Sequence, residues 1–308
     1  LTSRQVVVIR AYARYLRQLL LPFGINALAS ALEDNPQITK LLYDLFDAQL
    51  NPGESHADER DKRAQQIEAD FMAALEAVET LQHDRILRAF RHAIAATVRT
   101  NYWGEFGAAF EDGLVTGLAL KIRTGDIEEA PRPRPWMEIF VYSTRLDGVH
   151  LRGGPVARGG LRWSDRADDF RIEILDLMKA QQVKNAVIVP VGAKGGFVPR
   201  RLSRRDRAKR QAEGTACYKI FINTLLSVTD DLEGDTVKPP PHVVRRDGDD
   251  PYLVVAADKG TAGFSDVANA LAVGRGFWLG DAFASGGSKG YDHKKMAITA
   301  RGAWVSVQ

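Results

Sequence analysis

The sequence predicts an α/β domain, a mixed sheet layered with helices, preceded by a mainly helical segment over residues 1–100. Three observations predict it. Apolar residues recur at helical spacing through most of the first hundred positions. Strand-like apolar runs then alternate with helical stripes across residues 101–308, which defines the second unit as an α/β domain. Finally, the pair Asp147-Gly148 sits between two strand-like runs and marks a tight antiparallel hairpin, so the sheet is mixed rather than all-parallel.

Taken in order, residues 2–21 carry apolar side chains at helical spacing with Arg4, Arg10, Arg14 and Arg17 interleaved, until Pro22 and Gly24 break the pattern. An amphipathic helix is expected there. Further helices are expected over Gln37–Leu50, Asp58–Val78 and Asp84–Val98, the first begun by Asn35-Pro36 and ended by Asn51-Pro52-Gly53. Asn101-Tyr102-Trp103 marks a change of texture. Strands are expected at Leu118–Ile122, Met137–Ser143 and Val149–Leu151, with Pro131, Pro133 and Pro135 as a stiff connector ahead of the second. Asp168–Lys184 returns to helical period, with Phe170, Ile174, Leu177, Met178 and Gln181 near one stripe. The strand from Val187, a basic helix over Ser203–Ser227, a buried strand at Tyr252–Ala257 and a helix at Ser265–Val273 complete the pattern.

At 308 residues the chain is long enough for one large or two ordinary domains with a real core. Its 45% hydrophobic and 26% charged residues and net charge of +3 fit a soluble globular protein, and a pI near 8.9 does not by itself argue for nucleic acid. Cys217 is the sole cysteine, which excludes an intrachain disulfide framework and suits a reducing cytoplasm. The six histidines show no paired ligand spacing, so no metal is expected. No signal peptide or membrane-length apolar run is visible. A first residue Leu1 and an uninterrupted run at Trp304–Val307 suggest a piece of a longer polypeptide.

The chemistry centres on Lys194. The apolar run Val187-Ile188-Val189-Pro190-Val191 fits a strand buried on both faces, emptying into a loop Gly192-Ala193-Lys194-Gly195-Gly196. Glycines there admit positive φ on both sides of the lysine and bring backbone close to a substrate. Desolvation would suit that lysine to proton transfer; the alternative is a surface glycine turn with a solvated lysine. Upstream, Arg152-Gly153-Gly154 and Arg158-Gly159-Gly160 present guanidinium groups beside bare backbone, suited to a carboxylate or phosphate, or simply to a tight turn. The spacing is not that of a P-loop, and no GxGxxG fingerprint occurs. Asp258 follows the expected Tyr252 strand, where it is either a helix cap or the proton partner of Lys194. The basic run Arg200–Arg210 holds no aromatic residue, which favours a solvated helix start over a nucleic-acid face.

Together, Arg158-Gly159-Gly160-Leu161-Arg162, Gln181-Gln182-Val183-Lys184, Pro190–Gly196 and Ala256-Ala257-Asp258-Lys259-Gly260-Thr261 resemble the substrate domain of the glutamate dehydrogenases, closest to the large bacterial NAD-specific type. Phe277–Ser288 and Tyr291–Met296 are familiar runs of that type too. The resemblance implies reversible oxidative deamination of L-glutamate to 2-oxoglutarate and ammonia, in the cytoplasm and in a homo-oligomer. It implies Lys194 as the lysine that activates water and Asp258 as the proton shuttle to nitrogen. Gln181 and Lys184 would bind the α-carboxylate, with Lys179 a rival because the step from Lys184 to Lys194 is short. Arg158, with Gly159 and Gly160, falls where small relatives place a lysine for the distal carboxylate; the 36-residue step from Arg158 to Lys194 matches theirs. NAD is the implied cofactor, bound mainly by a Rossmann domain expected outside this chain, so the isolated chain is expected to be inactive; neither nucleic acid nor membrane is an expected partner.

Overall fold

The computed structural model describes residues 1–53, 56–184, 191–203, 205–290 and 295–308, without the side chains of residues 181–184 and 299. Five helices come first: α1 (Ser3–Gln18), α2 (Ile25–Glu33), α3 (Pro36–Leu50), α4 (Ala57–Leu75) and α5 (Leu81–Ala95). Thr2 caps α1 in a capping box with Gln5, and Pro36 occupies the first turn of α3, where its missing N–H costs nothing. The helix α2 is an addition to the expected pattern, because Pro22 and Gly24 end one helix and lead directly into the next.

The strands are β1 (Thr97–Thr100), the small hairpin β2 (Ala109–Glu111) and β3 (Leu114–Val115), β4 (Leu118–Ile122), β5 (Met137–Tyr142), β6 (Leu146–Arg152), β7 (Ala157–Arg158) and β8 (Leu161–Trp163). Then follow α6 (Phe170–Lys184), β9 (Val191–Pro199), α7 (Arg207–Leu226), the hairpin β10 (Asp231–Glu233) and β11 (Thr236–Lys238), β12 (Val255–Ala256), α8 (Ser265–Gly274), β13 (Ala284–Ser285) and α9 (Ile298–Val307). The main sheet runs β1-β4-β5-β6-β9-β7, antiparallel as far as β9, with β7 and β8 both parallel to β9. The expected mixed sheet is therefore present, although β1 replaces the end of the helix expected over Asp84–Val98. Thr97 and Val98 are β-branched, and Thr97 pairs with Ile122.

The sheet is buried on both faces, and strand alternation assigns each side chain to one of them. Leu118, Leu120, Ile122, Phe140, Tyr142, Val149 and Leu151 join the core formed with α1 to α6. Ala119, Ile139, Val141, Leu146 and Phe197 join the core formed with α7 and α8. The helical segment thus forms an outer layer on the sheet. A buried contact fastens it there: the Tyr15 hydroxyl of α1 and the Arg171 guanidinium of α6 both donate to Glu138 of β5.

Two expectations need correction. Asp147-Gly148 is not the hairpin turn; both residues lie inside β6, paired with Tyr142 and Val141, and the chain reverses three residues earlier, at Thr144-Arg145, where the Ser143 N–H bonds to the Leu146 carbonyl. Asp147 serves there as the shared acceptor of Arg14 and Arg200. Gly148 is required for space, since a Cβ would lie 2.6 Å from the Phe221 ring. Likewise Gly192–Gly196 is not a loop but the first half of β9. None of its glycines has positive φ. They are there because layers touch: a Cβ on Gly195 would meet Leu161 at 2.4 Å, and one on Gly196 would meet Ile174 of α6 at 2.4 Å. The strand expected from Val187 to Pro190 lies outside the described residues, as do Tyr291–Lys294 of the last motif.

Candidate active site

Registry brings the chemistry together. Lys194 of β9 lies opposite Leu151 of β6, a residue of the helical-side core, so its side chain emerges on the face covered by α6. On the other flank of β9, Leu161 of β8 pairs with Gly195 and Arg162 with Gly196, which puts Arg162 on the same face as Lys194. One bridge further, Leu161 pairs with Ala257, so the segment after β12 extends the sheet edge and delivers Asp258 next to both cations.

The Lys194 ammonium lies 2.6 Å from Asp258 Oδ2, with the two side chains 5% and 22% exposed. Arg162 Nε donates to the same oxygen at 3.0 Å, while its Nη1 reaches Glu173 Oε1 of α6 at 2.8 Å. The Ser164 hydroxyl donates to the other Glu173 oxygen at 2.6 Å. Burial by itself would raise the Asp258 pKa, but the hydrogen bonds from Lys194 and Arg162 outweigh it and hold the carboxylate below its ordinary range. Thr261 fixes the backbone: the Asp258 N–H donates to its hydroxyl, which lies 2.7 Å from the Leu161 carbonyl it donates to. Asp258 is thus an anionic partner of Lys194, not the cap of α8, which begins only at Ser265.

The glycine pair Gly159-Gly160 makes this approach possible. A Cβ on Gly159 would fall 1.4 Å from the Ala193 carbonyl oxygen, and one on Gly160 2.8 Å from that of Ala257. Close packing of three chain segments, not a conformation special to glycine, is what demands both residues. Arg158 pairs with Gly192, two residues before Lys194, and lines a cavity of about 410 Å³ with Asn269, Ser285, Gly287 and Lys289. The far wall comes from β13, whose Ser285 pairs with Ala256, two residues before Asp258. The cavity is thus lined from strands that pair with β9 and β12, which carry Lys194 and lead into Asp258, although neither of those side chains lines it.

Of the other candidates, Lys179 pairs with Asp176 at 2.9 Å on the flank of α6 and is 40% exposed. Gln181 and Lys184 occupy the last turn of α6, but their side chains lie outside the described residues. Sequence reasoning did not single out Arg162 as a site residue, nor Glu173, Ser164 or Asn269. Arg162 stood inside a quoted motif; nothing in sequence ties Glu173 to it. Within the basic run, Arg200 turns to Asp147 and Lys209 to Asp206, while Arg210 lies over the Trp163 ring. Cys217 is buried and its thiol pKa pushed up by that burial, consistent with a packing role. Among the described residues no group of three or more His, Cys, Asp or Glu is arranged to hold a metal ion. No helix among them is long and apolar enough to cross a membrane.

A lysine–carboxylate pair held between β9 and the segment after β12, with a second cation on the same oxygen, is the candidate site. Comparison with known proteins gives the family. Residues 70–308 match the family described as bacterial NAD-glutamate dehydrogenase, catalytic domain, and residues 1–52 match glutamate dehydrogenase, helical motif 3. The chain belongs to the bacterial NAD-glutamate dehydrogenase family. It is 57% identical to the NAD-specific glutamate dehydrogenase of Mycobacterium tuberculosis over 100% of its length and 56% identical to that of Pseudomonas aeruginosa over 99%. It spans about 19% of the length of either relative.

Proposed function

We propose that this chain supplies the substrate-binding and acid/base residues for NAD-dependent oxidative deamination of L-glutamate to 2-oxoglutarate and ammonia. The observation that carries the proposal is the buried 2.6 Å contact between Lys194 and Asp258. Arg158, which lines a cavity and pairs with Gly192 two residues before Lys194, supports a clamp for the distal carboxylate, and α6 carries Gln181 and Lys184 for the α-carboxylate. With both carboxylates fixed, the α-carbon is held over the ion pair and orientation replaces a bimolecular encounter. Asp258, kept anionic, accepts a proton from the substrate nitrogen. Once the α-carbon has lost hydride and become an iminium carbon, Lys194 in its neutral form takes a proton from the attacking water. Asp258 then returns its proton to the departing ammonia.

NAD accepts the hydride in this reaction. The turn after β12 does not fit that cofactor: Asp258 is committed to two cations there, and Asp266 in the first turn of α8 sets a second carboxylate where a pyrophosphate would need bare N–H groups. We place NAD in a Rossmann domain outside the described residues. A cytoplasmic homo-oligomer is part of the same proposal, and the isolated chain would not turn over glutamate.

The test is NAD reduction with L-glutamate by the full-length enzyme and its Asp258→Asn variant. Turnover should fall about 10²- to 10⁴-fold, the usual worth of a general acid–base residue, while glutamate still binds. Unchanged turnover would remove the assignment.

A further inference from the structure

We infer that Arg162 is a positioning residue for this reaction, holding the Asp258 carboxylate in register with Lys194 while being itself fixed by Glu173 and Ser164. The inference rests on the assignment of Lys194 and Asp258 as the acid/base pair. Its ground is geometric. Two cations converge on one oxygen, Asp258 Oδ2, at 2.6 Å from Lys194 and 3.0 Å from Arg162. The ammonium is a compact point charge on a flexible stem and sets no plane; the guanidinium is planar and binds through a rigid edge. Arg162 uses Nε for Asp258 and Nη1 for Glu173, and Ser164 engages the second Glu173 oxygen. The guanidinium is therefore held between the segment after β12 and α6, with Ser164 steadying Glu173.

The second cation also has a chemical use. In the proposed sequence Lys194 must be neutral to activate water, so Asp258, anionic before it takes the substrate proton and again after returning it, needs a cation that does not depend on the charge of Lys194 in a partly buried site. Arg162 does not titrate in the working range and compensates the carboxylate in both of those states. Glu173 begins the helix whose last turn bears Gln181 and Lys184, so one rigid element carries both the carboxylate clamp and the anchor of the proton shuttle.

Among the described residues, the charged groups facing Asp258 are Lys194 from β9, Arg162 from β8, Glu173 from α6 through Arg162, and Lys259 beside it in the chain. Arg162→Gln, Arg162→Lys and Glu173→Gln are to be compared with Asp258→Asn in the full-length enzyme. Arg162→Gln should lower kcat about 10- to 100-fold, the range for residues that orient a reactive group, with little change in KM for glutamate. The acidic limb of its kcat–pH profile should move to higher pH, because a carboxylate with one cation fewer is easier to protonate. Arg162→Lys should restore the position of that limb and part of kcat, and Glu173→Gln should give a smaller kcat loss. A wild-type kcat and acidic limb in Arg162→Gln would overturn the inference, as would losses that follow only the fraction of folded protein. Collapse of Asp258→Asn beside an unaffected Arg162→Gln refutes the role of Arg162 alone; an active Asp258→Asn refutes the acid/base assignment beneath it.

Discussion

Two ionic clusters of similar composition sit in this domain and differ in what surrounds them. In the first, Arg99, Lys121 and Arg152 meet Asp230, Asp247 and Asp250, and each of the six side chains is at most 5% exposed. In the second, Lys194 and Arg162 meet Asp258 and Glu173; Lys194 is as deeply buried, but Asp258 is 22% and Arg162 19% exposed. The closed cluster joins β1, β4 and β6 to the 228–250 connection, with Arg245, 29% exposed, reaching Asp230 from outside. The open one leaves Asp258 and Arg162 partly accessible to solvent. The same charge chemistry is sealed in one place and partly open to solvent in the other, and it is the open cluster that our proposal assigns to proton transfer.

The largest effect that would break this comparison is in the closed cluster. Asp250→Ala leaves Lys121 and Arg152 buried with one carboxylate fewer, and removal of one partner from a buried ion pair costs about 3–5 kcal/mol. Chemical denaturation should show that loss, with turnover per folded molecule preserved; a loss under about 1 kcal/mol would mean the cluster is not sealed in solution. The closed cluster also has a defined acid sensitivity. Burial would raise the Asp250 pKa, but Arg152 and Lys121 outweigh it and hold it low. Its contribution is present above the unfolded carboxylate value near ~3.9 and is lost as pH falls through the depressed folded one.

An effect that is small near neutral pH and grows as pH falls comes from His150, which lies beside Arg152 with neither ring nitrogen hydrogen-bonded among the described residues. Burial first, and Arg152 second, push its pKa down to about 3. A depressed histidine charges in the unfolded chain first, so its cost is absent above the unfolded value near ~6.5 and grows as pH falls toward the folded one, by about 1.4 kcal/mol per unit. Stability of wild type relative to His150→Leu should decline across that window, measured by denaturation at a series of pH values; parallel curves would show the ring to be solvated. The smallest effect belongs to a pair with neither seal nor site. Lys40→Ala, which removes the exposed contact to Asp44 one turn along α3, should cost about 0.3–0.5 kcal/mol, and that difference should shrink with salt.

Much of this was legible in one dimension. Helical spacing located α1, α3, α4, α5 and α6 to within a few residues, and Leu118–Ile122 was placed as a strand at its observed limits. Lys194 and Asp258 stood out because a lysine among glycines and a lone aspartate after an apolar run are chemically conspicuous. The Asp147-Gly148 turn was misplaced because turn propensity is local, whereas Gly148 answers to Phe221 from a distant helix. The Lys194 loop was misassigned for the same reason: glycines that look like freedom of backbone serve as clearance between layers.

The amino-acid sequence by itself determined the element types, the alternation that buries both sheet faces, and the residues able to carry charge or move a proton, because these follow from side-chain chemistry and period. Tertiary structure alone decided which charges share an oxygen. Lys194, Arg162, Glu173 and Asp258 come from four segments, and only the parallel registry of β8 with β9 and the bridge from Leu161 to Ala257 put them on one face. Registry is set by core packing across the whole sheet, and a slip of one residue would turn Arg162 to the opposite face.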